Sequence, residues 1–399
     1  MSTKVLISGA SIAGPALAHW LGRYGFDVTV VELAPAPRDG GQAVDFRGRT
    51  HLGVLERMGV LDELRPLGTG GSPMTFLAAD GRRLLHLPAE FAGGELEVPR
   101  GEVARLLYRH SRARAEYVFG DSITALEETP SGVRVAFRHA APREFDLVIG
   151  ADGLHSNVRR LAFGPERRYV RHLGYYAATW ELPNDLGLPP GAVGLNVPGR
   201  LMSVGADHRD PRRAGAFCLF ASPVLRYDRH DRAQQKALVR NAFTGLGWRV
   251  PYLLETLDAA PEPYFDSISR ADVPTWSSGR TALIGDAACG ATIGGMGTGT
   301  AVVAAYVLAG ELARARGDHR AAFGRYEALL RGYAQGCQKG GDRTGPFLAP
   351  RTATGLRFRN ALLNRRWALE KMLELGKQVS SVELPDYEAQ LSGRSGAGG

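Results

Sequence analysis

The chain opens on apolar runs that alternate with helical spacing. Lys4 to Ser8 is a short branched apolar run ending in Gly9. Ile12 to Tyr24 then carries Ile12, Ala16, Leu17, Trp20 and Leu21, the spacing of one helix face. Val28 to Val31 is a second branched run, closed by Glu32. Strand, glycine turn, helix and strand ending in an acid predict a βαβ unit with a parallel strand pair. Further on, Gly41 to Arg47 predicts a strand and His51 to Leu67 a helix. Gly101 to Tyr117 predicts a helix with Val103, Leu106 and Leu107 on its apolar face, and Val133 to Phe137 and Phe145 to Gly150 predict strands.

From about Tyr169 to Ser269 the texture changes. The runs Tyr175 to Leu182, Met202 to Ala206 and Ala216 to Ser222 are separated by turn-rich pieces, which predicts an inserted antiparallel sheet. Thr281 to Gly285 returns to the buried parallel-strand pattern. Gly355 to Val379 reads as one long helix, and the Gly/Ser-rich stretch Leu391 to Gly399 reads as disordered. The expected organisation is therefore a discontinuous first domain at 1–168 and 270–345, with a second domain at 169–269. A helical segment at 346–385 and a disordered tail at 386–399 follow. Ala287 to Gly310 carries no charge, but its first half is loop-like in composition, so a buried helix is expected rather than a membrane span.

Composition sharpens this picture at one point. Glycine supplies 51 of 399 residues, well above the roughly 7% of ordinary chains. The glycines are clustered, with seven between Gly279 and Gly299, and there is no G-X-Y period. Clustered glycine implies backbone that approaches something closely or adopts positive φ. The balance of 49 basic against 41 acidic residues gives a net charge of +8 without a long basic run, so solvated arginine-rich helix faces are expected in place of a nucleic-acid surface. Cys218, Cys289 and Cys337 are odd in number and far apart. They predict no disulfide framework or structural zinc and fit a reducing cytoplasm. The first residues contain too short an apolar run for a signal peptide.

Three glycine-bearing motifs carry the chemistry. The first is Gly9-Ala10-Ser11-Ile12-Ala13-Gly14, followed by Glu32 at the end of the second strand. In a dinucleotide site such glycines make the tight turn and let backbone approach a pyrophosphate, whose charge the helix N-terminus attracts. The acid accepts hydrogen bonds from ribose hydroxyls. Here Ser11 replaces the middle glycine, and its hydroxyl can itself donate. The second motif runs from Asp146 through Asp152 and Gly153 to Arg159, where Asp152 equally suits a helix cap. The third is a strand ending in Gly285-Asp286, followed by the loop Gly294-Gly295-Met296-Gly297-Thr298-Gly299 and an apolar helix. It offers a carboxylate and helix N-terminal N–H groups to one ligand.

Together these motifs, spread from Lys4 to about Gly310, resemble those of the class A flavoprotein monooxygenases, which share the fold of p-hydroxybenzoate hydroxylase. The resemblance implies an α/β fold with a Rossmann-like FAD-binding domain, an inserted antiparallel-sheet substrate domain and a long C-terminal helix, closest in size to the tetracycline-inactivating monooxygenases. By the same resemblance, Gly9, Ser11, Ile12, Ala13, Gly14 and Glu32 bind the ADP half of FAD. Arg100, Asp152 and Gly153 lie near its linker, Asp286 at the ribityl chain, and Arg47 beside the flavin. The backbone of Gly295, Met296, Gly297, Thr298 and Gly299 faces the flavin ring. The implied reaction uses NAD(P)H and O2 to hydroxylate an aromatic or polycyclic small molecule through a flavin C4a-hydroperoxide. No side-chain nucleophile, metal, nucleic acid or membrane is expected, and the chain is expected to be a cytoplasmic monomer or homodimer. Substrate-lining expectations fall on His172, Tyr175, Trp180, Phe217 and Phe220. Two departures from the family pattern stand out: Cys289 replaces a usual histidine, and a usual proline is missing after it. A flavin reductase of the geranylgeranyl-reductase type and a non-catalytic FAD-binding protein remain as alternatives at this stage. Flavin-dependent halogenation is disfavoured by the lack of a Trp-x-Trp-x-Ile-Pro motif.

Overall fold

A computed structural model describes residues 2–37, 43–89, 94–292, 296–379 and 381–395. The chain begins with β1 (Lys4–Ser8), α1 (Ala13–Arg23) and β2 (Asp27–Glu32), the expected βαβ unit. Then come β3 (Ala43–Phe46), α2 (Gly48–Arg57), α3 (Leu61–Leu64), β4 (Met74–Leu77), β5 (Arg83–Leu87), β6 (Leu96–Pro99) and α4 (Arg100–Ser111). Next are β7 (Ala115–Phe119), β8 (Ile123–Glu128), β9 (Val133–Phe137), β10 (Arg143–Phe145), β11 (Leu147–Gly150) and α5 (Asn157–Ala162). The second half starts with β12 (Val170–Pro183), β13 (Ala192–Val197), β14 (Arg200–Ala206) and β15 (Arg213–Ala221). It continues through α6 (Arg232–Phe243), α7 (Val250–Ala259), β16 (Tyr264–Ala271), β17 (Ser277–Ser278), β18 (Thr281–Leu283) and α8 (Asp286–Cys289). Five helices close the chain: α9 (Gly297–Ala315), α10 (His319–Leu348), α11 (Ala353–Leu363), α12 (Arg366–Val379) and α13 (Tyr387–Ser395).

Two large sheets organise these elements, beside a three-stranded sheet β10-β9-β8 and the pair β3-β6. The first has the order β17-β18-β11-β1-β2-β7 and is parallel except for the β17–β18 pair. Its register brings Ser8, Gly150 and Leu283 side by side at the C-terminal ends of β1, β11 and β18. Three chain segments far apart in sequence therefore turn at one edge, which is where open parallel sheets bind ligands. The strands are runs of Val, Ile and Leu because they are buried in one core with residues of α1, α9, α5 and β9.

The second sheet has the order β16-β12-β15-β14-β13-β4-β5. Here the organisation departs from the sequence-based boundaries. β4 and β5, residues 74–87, belong to this sheet although they lie in the stretch assigned to the first domain, because β4 pairs in parallel with β13 over a hundred residues later. No local pattern encodes that pairing. Alternation along β12 sends Tyr176, Ala178, Trp180 and Leu182 to an outer face packed by α6 and α7. Tyr175 and Ala177 point to the opposite face, against the end of α10 and α11.

The C-terminal region is more structured than expected. The helical stretch predicted over 355–379 is two helices, α11 and α12, separated at Asn364 and Arg365. The longest helix is α10, 30 residues, which runs from the first sheet's core to the second sheet. The expected disordered tail from 386 is instead α13 as far as Ser395. Tyr387 is fully buried, its hydroxyl donates to Glu311 at 2.8 Å, and its ring fills the space a Cβ at Gly310 would take, 2.2 Å away. A Gly/Ser-rich composition reads as disorder because it carries little apolar surface, and one buried tyrosine offsets that. Among the described residues, no helix is long and apolar enough to cross a membrane.

Candidate cofactor site

The three glycine turns meet at Gly285. Its backbone sits at φ +58, ψ −137, a conformation open to glycine, and a Cβ there would lie 3.3 Å from both Ala13 and Ala301 Cβ atoms. The first turns of α1 and α9 therefore pack against the Asp286 turn from two sides. Neither helix has a side-chain N-cap bond or an acid in its first turn. Two positive helix ends with N–H groups lacking a capping side chain thus converge on one place, an arrangement that favours anions. Arg100, the first residue of α4, adds a charge there, with Nη2 donating to Ser11 Oγ at 3.1 Å.

Gly9 and Gly14 shape the first turn. Gly9 is at φ +108, and a Cβ on it would lie 2.5 Å from the Ala151 carbonyl oxygen. Glu32 closes the loop: its two carboxylate oxygens accept from Ala10 N at 2.8 Å and Ala34 N at 2.9 Å. Each oxygen keeps a second lone pair for a ligand hydroxyl. Burial raises the Asp286 carboxyl above the usual carboxylate range, and the Arg100 charge opposes this. A Cβ on Gly297 would lie 2.9 Å from Asp286 Oδ1, so glycine there lets the start of α9 approach that carboxylate.

Other expected residues take different places. Asp152 is occupied by the turn it belongs to. Its carboxylate accepts from Ser156 Oγ and from Val158 N at 3.0 Å, and Ser156 in turn caps α5. Burial raises its carboxyl, and these bonds work against the shift. Asp152 therefore holds the turn that leads into α5, and Gly153 beside it is at φ +80 with open space around it. Arg47 pairs with Asp45. Gly295 lies outside the described residues. Gly299 answers to a side chain the sequence reading passed over: a Cβ there would lie 2.1 Å from the His51 ring. Cys289 is a partly buried thiol whose Sγ donates to Gly285 O at 3.6 Å, and burial pushes its pKa up, which makes it a packing residue rather than a thiolate.

The aromatic residues expected to line a substrate pocket divide between the two faces of the second sheet. Trp180 and Phe220 are in the outer-face core, with Trp180 Nε1 donating to Thr256 Oγ1 at 3.0 Å. His172 lies against Tyr176, ring centroids 5.0 Å apart, and its Nε2–H donates to Ser222 O. A bulge between His172 and Tyr175 shifts the alternation that would otherwise set their faces. Tyr175 and Phe217 are on the other face, where Tyr175 is tied by its hydroxyl to Ala349 O at 3.1 Å. Sequence reading also missed Tyr264. It is 49% exposed on the edge strand β16, within electrostatic reach of Arg100 and Asp286. β16 is stitched to the loop after Asp286 by Ala271 N to Gly290 O at 2.9 Å and Thr292 N to Ser269 O at 3.0 Å. These backbone bonds hold the second sheet beside the glycine turns.

The second motif also carries a pH-sensitive contact. His155 bonds Glu166 through Nδ1 and Asp266 of β16 through Nε2, each at 3.0 Å, with Arg229 on the other side of Glu166. Burial alone would lower its pKa, but the two carboxylate bonds win and raise it from 6.5 to about 9. A raised histidine pKa contributes stability that is fully present below 6.5 and is lost as pH rises through 9. His155→Gln is therefore expected to destabilise the protein by on the order of 2 kcal/mol at pH 6 and by little at pH 10. Urea midpoints measured at the two pH values check this; equal losses at both would remove the ion triad from the account.

The fold and the turns define an FAD-binding oxidoreductase: two uncapped helix ends and Arg100 suit a pyrophosphate, Glu32 suits a ribose and Asp286 a polyol chain. Comparison with known proteins agrees. Residues 2–169 match the FAD binding domain family. A flavin-dependent monooxygenase of Legionella longbeachae is 33% identical over 97% of this chain and 98% of its own. An uncharacterised protein of Mycobacterium tuberculosis is 41% identical over 83% of this chain and 90% of its own. The crystal structure of tetracycline destructase Tet(51) superimposes with a TM-score of 0.85 at 29% identity, covering 97% of this chain and all of that one. The chain belongs to the class A flavoprotein monooxygenases and is an FAD-dependent monooxygenase. NAD(P)H is the reductant typical of that family.

Proposed function

We propose that the enzyme oxygenates a flat aromatic or polycyclic small molecule, in natural-product tailoring or antibiotic inactivation. The observation that carries this reading is the convergence of the α1 and α9 N-termini, Arg100 and Asp286 at one edge of a sheet to which β16 is hydrogen-bonded. Bound FAD would pass two electrons from NAD(P)H to O2, from which one oxygen atom goes to the substrate and the other leaves as water. The protein's own groups bind and orient. Backbone N–H groups of α1 and the Arg100 guanidinium hold the pyrophosphate, Glu32 accepts from the ribose, and Asp286 accepts from the ribityl hydroxyls. The start of α9 directs its N–H groups and positive dipole end at developing negative charge.

Support for a polycyclic substrate comes from the second sheet. A cavity of about 470 Å³ lies among the ends of β12, β14 and β15, bounded by Arg200 and Arg351 and by Gly174, Gly199 and Ser222. That volume suits a small-molecule site. The Arg351 guanidinium already lies over the Tyr175 ring, 5.1 Å from its centroid, and presents a planar cation to flat ligands. The likeness to a tetracycline destructase points to the same class. A cytoplasmic location is part of the proposal, as is a monomer or homodimer; Phe358 and Trp367 of α11 and α12, exposed at 70% and 59%, are where a second copy would dock.

The test is purification and an absorption spectrum, followed by NAD(P)H oxidation with O2 across a panel of phenolic, polyketide and tetracycline compounds. The expected result is a yellow protein whose NAD(P)H consumption is accelerated by at least one polycyclic compound, with oxygenated product in the mass spectrum. Bound flavin with no acceleration by any member of the panel overturns the substrate class.

A further inference from the structure

A line of buried polar groups runs behind the start of α9. Arg47 N donates to His51 Nδ1 at 3.0 Å, so the imidazole proton sits on Nε2, which is 2.6 Å from the Tyr333 hydroxyl of α10. Tyr333 is itself buried, and Cys337 lies one helical turn further along α10. Thr300 Oγ1 donates to Met296 O at 3.0 Å. His51 thus bridges the turn after β3 and α10, while Thr300 closes the first turn of α9 on the Met296 carbonyl. Met296 is the residue that starts α9, and it is held in the left-handed region at φ +52, a position that costs a non-glycine residue energy.

His51 is fully buried and packs face-on against Gly299, where a Cβ would fall 2.1 to 2.6 Å from three ring atoms. Burial holds its pKa down at about 4, so the ring is neutral and keeps one donor and one acceptor. Both are used, on elements that flank the cofactor site. A buried network with every member satisfied rigidifies what it touches.

We propose that His51 is a positioning residue: its ring against Gly299, fixed by the bond to Tyr333, holds the first turn of α9, and its Nδ1 holds the Arg47 turn, in the arrangement the flavin end of the cofactor requires. This rests on the assignment of the α9 N-terminus to FAD made above. The requirement for glycine at 299 then comes from the histidine behind the loop, not from the ligand in front of it.

Tyr333→Phe removes the hydroxyl that His51 bonds, and His51→Ala removes the ring itself. Both proteins are compared with wild type and with Tyr175→Phe, which loses a buried hydroxyl in the other sheet. FAD is titrated into deflavinated protein by fluorescence quenching, alongside melting temperature and flavin midpoint potential. Tyr333→Phe and His51→Ala are expected to weaken FAD binding about tenfold, the ratio one lost buried hydrogen bond commonly produces, and to make the midpoint potential more negative. Tyr175→Phe is expected to lower melting temperature while leaving both flavin readouts in place. His51→Gln, which keeps a donor toward Tyr333, is expected to retain FAD better than His51→Ala. If Tyr333→Phe is insoluble, the comparison of His51→Ala with His51→Gln decides alone. An FAD dissociation constant within about twofold of wild type in the soluble network variants overturns the proposal and leaves the family assignment standing. A wild-type protein that binds no FAD overturns both.

Discussion

Gly14→Val is expected to give a protein that retains no flavin through purification. A Cβ at position 14 would lie 1.9 Å from the Gly9 carbonyl oxygen and 3.4 Å from Ile7 Cγ2. The first contact is with backbone, so no side-chain rotation relieves it. Relief requires α1 to move away from the β1 turn, which displaces the N–H groups of Ile12 and Ala13 from the pyrophosphate position. Even Gly14→Ala meets this clash, and it is expected to lower FAD occupancy and destabilise the fold by roughly 1–3 kcal/mol. Gly53 supplies the control. It lies in helix α2 with nothing within 4 Å of a Cβ and no positive φ, so Gly53→Ala is expected to be neutral or stabilising by up to about 1 kcal/mol. The ratio of flavin to protein absorbance and urea midpoints check both variants. Full occupancy and an unchanged midpoint in Gly14→Ala would mean the turn is not as tight as described.

Arg159→Met is expected to cost on the order of 3 kcal/mol and to loosen two of the three turns at once. Arg159 is fully buried, Nη1 donates to Ala287 O at 2.9 Å and Nη2 to Leu154 O at 2.5 Å, and Glu166 approaches to 4.0 Å. One guanidinium therefore ties the Asp152 turn to the helix that carries Asp286. Methionine fills much of the volume but leaves both carbonyls without their donor. Arg159→Lys is expected to recover little, because one ammonium on a flexible stem does not reproduce the planar fork. Urea denaturation gives the stability loss, and FAD titration shows whether the Asp286 turn has moved. A midpoint within error of wild type would sink this account of Arg159.

Arg159 illustrates what was and was not legible. It stands in the quoted Asp152 motif, but its partner Ala287 is 128 residues away, and no local rule connects them. Glu32, by contrast, was found from the chain alone because strand, turn and helix of a βαβ unit are contiguous, and the acid must fall where the second strand ends. The aromatic residues of β12 and β15 show the same divide. Their presence on strands was legible, yet the bulge after His172 and the outer cover of α6 and α7 decided which faced inward. His51 carried no signal at all, since a lone histidine in an apolar helix pattern reads as packing. Its partner relation to Gly299 appears only when α2 and α9 lie side by side.

The sequence by itself determined the βαβ unit, the three glycine turns, the flavoprotein resemblance and the inserted sheet. These rest on periodicity and on backbone conformations that single residues impose locally. The tertiary structure decided that β4 and β5 join the second sheet, that Asp152 binds the turn leading into α5, that the tail folds as α13, and that His51 stands behind Gly299. Each of those depends on two segments meeting across a long loop, where the free energy comes from burial and pairing that neither segment contains alone.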